Sequence, residues 1–462
     1  MKTFIIQTYG LQQLAYLFEN DELVEWFIEE KNMIPKGSII KGKIEKKVKG
    51  MNAYFVHIGT EKRAYLPFSE MDEEMTEGQS VVVQVKKEPI GTKGAYVTTF
   101  LEFPGKYLVY FPYQHYVAVS KKISKEDRIR LEVIGKEVGK EKEGLLFRTL
   151  AKEVSKEEIV QELTNLQAQF NMLMKEQEKK EAPILLQKGQ TEIEKKAAQL
   201  IDEPMHEIII DTIEGYERIK ELLPKANASI YKEKESIHSF YSLKKEKEKW
   251  LQREVWLKNG GSIIIEKTEA LTAIDVNTKK FTGKINLEQT AFETNVQAAK
   301  TIAKEIKRRN ISGIIIIDFI NMKKKAHEQS VYDILEQEVK KDPKQVKLLG
   351  FTPLGLFECT RKKTSEDYET LYQKYEKDLR ITDLLNDLLY RKEEHEAVWI
   401  EVSDSLFTRL QEIQPTFLKK DSYLWIVTIA NHQKTSYSIR RFGDKREILL
   451  QIKNNLDFLV WG

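Results

Sequence analysis

Two aspartates, Asp275 in TAIDVN and Asp318 at the end of GIIIID, are the residues of this chain best suited to hold a metal ion. Side chains alternate along an extended segment, so Ala273, Asp275 and Asn277 share one face while Ile274 and Val276 point into the core. Asp318 closes a run of isoleucines, and ligands of α/β sheets gather at the carboxyl ends of strands. Two carboxylates that converge without a basic residue beside them repel each other. A hard divalent cation such as Mg²⁺ relieves the repulsion, with waters completing its octahedron. For either aspartate alone the ordinary reading is a turn former or helix cap. Asp211 in HEIIID has the same local pattern as Asp318, and the helix that opens at Thr212 makes capping its simplest account.

The elements around these residues are legible as patterns. GGSIIIEKTEALTAIDVNT predicts a pair of strands. LEQTAFETNVQAAKTIAKEIKRRN predicts a helix with Phe292, Val296, Ala299, Ala303 and Ile306 on its inner face. The unbroken isoleucines of GIIIIDF predict a strand buried on both sides. The order β-β-α-β calls for a right-handed crossover that brings the strand ends together. Residues 1 to about 34 read as a small β-meander. Five short strands between Ile39 and Thr99 have the size and rhythm of an OB-type barrel, and a further β-rich stretch reaches about residue 150. Ser155 and Glu158 form a capping box for a long helix, ended by Pro183, with Leu163, Leu166, Phe170 and Leu173 on one face. HEIIIDTIEGYERIKELLP reads as a strand and a helix. The charged run 244–253 reads as a solvated linker or helix face, KKTSEDYETLYQKYEKD as a further charged segment, and a last α/β unit begins near residue 380.

Composition narrows the function classes. With 462 residues the chain suggests roughly three packed units. Lys+Arg number 75 against 72 Asp+Glu, so any basic surface that meets nucleic acid must be local. The lone cysteine, Cys359, excludes an internal disulfide and a CxxC zinc site within one chain. The N-terminal apolar run is too short for a signal peptide, and no stretch approaches the roughly 18 apolar residues of a membrane span. A cytoplasmic protein without membrane partners is the expectation.

GGSIIIEKTEALTAIDVNT, ETNVQAA, GIIIIDFINM and GLFECTR resemble, in order and spacing, the catalytic core of the ribonuclease E/G family. GSIIKGKIEKKV, NAYFVHIG, KRAYLPF and KGAYVTTF resemble the family's S1-type OB fold, GLLFRT its 5′-end sensor, and SFYSLKKEKEKWLQREVWLKNGG its approach to the catalytic domain. The resemblance covers most of residues 1 to about 450 and is weakest between 155 and 235. It implies an α+β multidomain protein. A ribonuclease H-like subdomain (1–36 and 155–258) receives as an insert an S1-type OB fold (37–103) and a 5′ sensor (104–154). A DNase I-like catalytic domain (259–362), a linker (363–379) and a small C-terminal α/β domain (380–462) follow. The implied activity is Mg²⁺-dependent endonucleolytic cleavage of single-stranded RNA, in rRNA precursors and mRNA, stimulated by a 5′-monophosphate.

By the same resemblance Asp275 and Asp318 are the Mg²⁺ ligands and Asn277 orients the first of them, a role that fixes a carboxylate's rotamer. Phe55, Tyr65 and Lys93 are RNA contacts, aromatic faces for bases and an ammonium for phosphate. Phe55 is outward by alternation, whereas periodicity alone makes Tyr65 a core residue. Arg148 and Thr149 are the pair that meets a 5′-monophosphate, with a structural salt bridge as the other reading of Arg148. Glu269 and Arg361 lie in the motifs and could shape the site; neither carries an assigned step.

The sequence also departs from the family. The paired cysteines that link two protomers through zinc have no counterpart after Arg361, so a homo-oligomer would have to join otherwise. Asn321 stands where many relatives carry an aspartate after IDF. The chain ends at 462 without a long tail, as in the shorter G-type members. A second reading follows from these departures: an RNA-binding protein of the same fold with weak or lost cleavage. A nuclease centred on Asp211 is the third, and no further carboxylates of suitable spacing accompany that residue.

Overall fold

The computed structural model describes residues 1–31, 33–89, 93–201, 203, 206–233, 235–278, 287–363, 365–389, 396–413, 424–429, 436–452 and 458–461. They fall into two compact units, residues 32–196 and residues 1–31 with 197–462.

The first unit contains the expected barrel. Strands Ile39–Val48, Ala53–His57, Ala64–Pro67, Tyr96–Thr98 and Ser80–Lys87 follow one another, and the last pairs back onto Ile39–Val48 to close the ring. Tyr54, Val56, Leu66, Val83 and Val97 fill its interior. A four-stranded sheet (103–104, 108–111, 117–119, 144–147) accounts for the β-rich stretch. Within that stretch the chain also forms a helix, Lys125–Val138, that the β-rich reading omits; Ser124 caps it by accepting from the Asp127 amide. The Ser155–Glu158 capping box is present. Its helix ends at Glu178, before Pro183, and its Ile159, Leu163, Leu166 and Leu173 pack with Phe103, Tyr110 and Phe147. That packing puts residues 156–178 in this unit, where the family resemblance implies the second part of the ribonuclease H-like subdomain.

Among the described residues the second unit holds three sheets. Strands Lys2–Gln7, Gln12–Glu19 and Glu22–Glu30 form the expected meander, extended by parallel pairing of Lys2–Gln7 with His206–Ile210. Asp211 does not cap the following helix. Thr212 does, accepting from the Gly215 amide, while the Asp211 carboxylate accepts from the Thr8 and Tyr9 amides and the Thr8 hydroxyl. Those bonds explain why a half-buried acid, pushed up by desolvation, is tolerated there.

The charged run 244–253 takes the helix-face form of its reading, with one side buried, and the expected linker is helical too. Residues Leu243–Trp250 are a helix whose Leu243, Lys247 and Trp250 are buried. Tyr368–Leu389 is one continuous 22-residue helix, so the expected linker is its first half, seated on Trp26 and Trp250 through Tyr368 and Tyr372.

The sheet that carries the aspartates has six strands in the order 254–256, 262–267, 271–277, 313–318, 357–361, 346–351. Among the described residues only Leu271–Asn277 and Gly313–Asp318 run parallel, joined through the helix Leu287–Arg308. That helix buries a broader stripe than expected, including Asn295, Ala298 and Ile302. With Val331, Leu335 and Val339 of the helix Lys325–Val339 it packs on Ile263, Ile274, Val276, Ile315 and Ile317. Each such isoleucine stabilises by about 1.5–3 kcal/mol when fully buried. Both helices lie on one face of the sheet. The expectation that GIIIID is buried on both sides therefore fails: Ile315 and Ile317 are fully buried, whereas Ile314 is 49% exposed.

Candidate metal centre and nucleic-acid surfaces

Alternation along Leu271–Asn277 works as the sequence indicates. Thr272, Ile274 and Val276 are buried, Asp275 is exposed, and Asn277 is partly exposed beside it. Asn277 Nδ2 donates to Asp275 Oδ2 at 2.7 Å, which holds the carboxylate in one orientation. Asp318 is exposed and lies directly opposite Asp275 in the parallel register. Neighbouring strands are about 4.8 Å apart, so both carboxyl groups rise from adjacent positions on the open face. Among the described residues neither aspartate makes an ion pair, and no third His, Cys, Asp or Glu joins them in a metal-binding group. Two acceptor-only carboxylates with open solvent above them fit Mg²⁺, which uses one or two carboxylates and keeps several waters.

The segment after Asp318 is held by residues that the sequence reading did not single out. Asn295, fully buried, donates from Nδ2 to the Ile320 carbonyl at 2.7 Å and accepts from the Ile320 amide at 3.0 Å. Glu288 accepts from the Lys323 and Lys324 amides and meets His327 Nδ1 at 2.8 Å, and the His327 ring stacks on Phe292. The two backbone amides, first that of Lys323, hold the Glu288 carboxyl below its usual range. Asn295 was detectable as an amide at an inward helix position, since buried amides are hydrogen-bonded to something. The Glu288–His327 contact spans 39 residues and had no local signal. Lys323 and Lys324 put exposed ammonium groups five and six residues beyond Asp318. Asn321 is exposed on the same segment.

Arg361 and Glu269 do not reach this centre. Arg361 is buried in an ion pair with Asp342 at 2.8 Å and pairs in register with Gly313, at the opposite end of the strand from Asp318. Glu269 lies in the turn before Leu271, about 13 Å or more along the strand from Asp275. Cys359 is buried in the sheet core, and burial pushes its thiol up to about 12, so it stays a neutral thiol.

On the barrel, Phe55 and Tyr65 face each other across antiparallel strands with ring centroids 6.3 Å apart. Both are half-buried on the outside, while their neighbours Tyr54, Val56 and Leu66 fill the interior. Tyr65 is thus not the core residue that periodicity suggests. Tyr96 continues the aromatic row at 5.9 Å from Tyr65, with Lys87 Nζ 5.2 Å from its ring centre, and the sequence reading missed it. Lys93 is exposed three residues before Tyr96. Just past the strand 144–147, Arg148 is exposed and donates from Nη1 to the Gly105 carbonyl at 2.6 Å; among the described residues it has no acidic partner. Thr149 Oγ1 lies 3.1 Å from Ser120 Oγ.

The Ribonuclease E/G family profile matches residues 102–364. Ribonuclease G of Salmonella typhimurium and of Escherichia coli are each 34% identical over 360 residues, covering 72% of this chain and 74% of their own length. Ribonuclease E of Synechocystis sp. is 32% identical over 383 residues, 78% of this chain and 57% of that protein. No helix among the described residues is long and apolar enough to cross a membrane.

Proposed function

Because the chain belongs to the ribonuclease E/G family and is an endoribonuclease, we propose that it cleaves single-stranded RNA at a Mg²⁺ ion held by Asp275 and Asp318. The carrying observation is their register: two exposed carboxylates, without an ion pair among the described residues, side by side on parallel strands, one of them oriented by Asn277. Bound there, Mg²⁺ supplies the charge that activates water and offsets charge developing on the scissile phosphate. The protein's own part is positional. Asn277 fixes the Asp275 rotamer, Asn295 and Glu288 fix the segment that leaves Asp318, and Lys323 and Lys324 draw phosphate toward it. Water attacks phosphorus in line and the P–O3′ bond breaks, leaving a 5′-phosphate and a 3′-hydroxyl.

On the same reading the barrel is an S1-type OB fold that stacks bases on Phe55 and Tyr65 while Lys93 meets phosphate. Arg148 and Thr149 receive a 5′-monophosphate, and rRNA precursors and mRNA are the substrates. The sheet built from residues 2–30 and 206–230 is the ribonuclease H-like part, the six-stranded sheet a DNase I-like catalytic domain, and residues after about 380 the small C-terminal domain. A cytoplasmic location and assembly without a zinc link complete the proposal.

The test is cleavage of an AU-rich oligonucleotide carrying a 5′-monophosphate. EDTA abolishes cutting and Mg²⁺ restores it. A 5′-hydroxyl substrate is cut more slowly, and Arg148→Ala removes most of that difference without slowing the 5′-hydroxyl substrate. Cutting that persists in EDTA sinks the metal assignment. An Arg148→Ala enzyme that still prefers the monophosphate sinks the sensor.

Asn295 gives a second expectation. Asn295→Leu keeps the side chain's bulk but leaves both polar groups of Ile320 unpaired, at a cost of about 1–3 kcal/mol. The displaced segment carries Asp318 with it, and an error of about 1 Å at a reacting centre costs up to about 100-fold. Cleavage should fall about 10- to 100-fold at 25 °C while most of the protein stays folded by circular dichroism. A variant with unchanged kcat would show that the segment after Asp318 needs no such support.

A further inference from the structure

We propose that Trp256 is a base-stacking platform beside the metal centre, a positioning residue for the RNA next to the scissile phosphate. The proposal rests on the endonuclease reading of Asp275 and Asp318 and adds to it a contact that selects an unpaired base.

Trp256 ends the edge strand Glu254–Trp256, and the register fixes which face it occupies. It lies opposite Ser262, which lies opposite Asn277. Directly paired residues share a face, so Trp256, Ser262 and Asn277 form one row across three strands. Asp275 is two residues along from Asn277 on that same face, with Asp318 opposite it. Two strand spacings are about 9.6 Å, and two residues along a strand add about 7 Å at right angles. The Trp256 backbone is therefore about 12 Å from Asp275, a span of a few nucleotides.

The surroundings suit a base. The helices of this domain pack on the opposite face, where Val255 joins their core. Trp256 is 51% exposed, and Ile314 on the same face is 49% exposed. Isolated exposed apolar side chains need no account. Here a large ring stands in register with Asn277, the residue that orients Asp275, while Glu254 of the same strand is in register with Asp275 through Ile264 and Ile314 lies opposite Leu271, four residues before Asp318. A strand of RNA crossing this face would turn its phosphates to the metal and to Lys323 and Lys324, and one base to the Trp256 ring. Every base has a face to stack, so the contact favours single strands over duplexes whose bases are already stacked. Nothing in the sequence marked this residue, because its place in the row depends on pairing across three strands.

The experiment crosses the protein change with a substrate change. A 5′-monophosphorylated oligonucleotide with one cleavage site is prepared with its base removed at one position at a time around the cut. Wild-type enzyme should lose about 5- to 100-fold in kcat/KM at one position, the range expected for one stacked base. Trp256→Ala should show a similar loss on the intact oligonucleotide, carried by KM with kcat nearly unchanged, and no further loss at that position. Trp256→Phe should restore most of the difference. Equal penalties in wild type and Trp256→Ala at every position would overturn the proposal, as would an unchanged KM for Trp256→Ala on the intact strand. A change in solution mass with an unaltered abasic profile would make the ring a subunit contact instead. Failure of the wild type to cut would reject the endonuclease reading rather than this addition to it.

Discussion

Asp318→Asn and Asp275→Asn each lower single-turnover RNA cleavage by about 10³-fold or more at saturating Mg²⁺, while RNA affinity and thermal stability stay near wild type. The size follows from what the change removes. A metal contributes several kcal/mol to stabilising the transition state, and about 4 kcal/mol corresponds to 10³ in rate. Stability is spared because both side chains are exposed, neither makes an ion pair among the described residues, and an amide has nearly the shape of a carboxylate. The double variant should be little worse than either single one, since two ligands of one ion act as a unit. Asn277→Ala should fall between, at about 10- to 100-fold, because it loosens the Asp275 carboxylate without removing it. Fluorescence anisotropy on an RNA and a thermal melt supply the controls. Either aspartate variant cutting within tenfold of wild type would move the metal elsewhere. Intact binding without cutting in the wild type itself would favour the alternative of an RNA-binding protein with lost activity.

The site was legible to the extent that chemistry follows strand period. Alternation alone put Asp275 and Asn277 on one face, and the structure adds the hydrogen bond between them. The pairing of Asp275 with Asp318 is a matter of register between strands about 40 residues apart, which no local pattern encodes. There the family resemblance carried the assignment. Asp211 marks the limit of local reading. Its HEIIID context matches that of Asp318, and the difference lies in Thr8 and Tyr9, whose amides and hydroxyl it accepts from across 200 residues.

The fold was misread where composition overrode periodicity. Tyr368, Leu371, Tyr372, Tyr375 and Leu379 recur at helical spacing, and all pack in the core beside Trp26. The charges between them made the segment look like a linker. Leu243, Lys247 and Trp250 repeat at the same spacing within another charged run. The opposite error occurred at GIIIID, where four isoleucines suggested cover on both faces although both helices pack on one. An apolar run tells how much surface wants burial, and only the connections decide which face receives it.

Replacing Lys247 by Met should destabilise the second unit by about 3–5 kcal/mol, a large part of an ordinary domain's 5–15. Lys247 Nζ donates to Asp383 Oδ1 at 2.9 Å, His238 Nδ1 stands 3.0 Å from the same oxygen, and all three residues are buried. His238 Nε2 reaches Gln7 Oε1 at 2.9 Å, so the cluster ties the first strand to three helices. Burial alone would raise the Asp383 carboxyl; Lys247 and then His238 outweigh it and hold the group well below the usual carboxylate range. A carboxyl lowered in the folded state stabilises above its unfolded value of about 3.9, and the contribution fades as pH falls through the folded value. Without Lys247, desolvation dominates and Asp383 takes up a proton more readily. The gap in urea midpoint between wild type and Lys247→Met should therefore be widest near pH 7 and narrow toward pH 4. Lys247→Met with Asp383→Leu should recover much of the loss, because it removes both members of the buried pair, although His238 and Arg380, 4.0 Å from Asp383 Oδ2, then lose this partner. A single variant within about 1 kcal/mol of wild type, or a double variant worse than both singles, would mean that solvent reaches the pair. In that case the charges in this helix would be what composition first suggested, a solvated face.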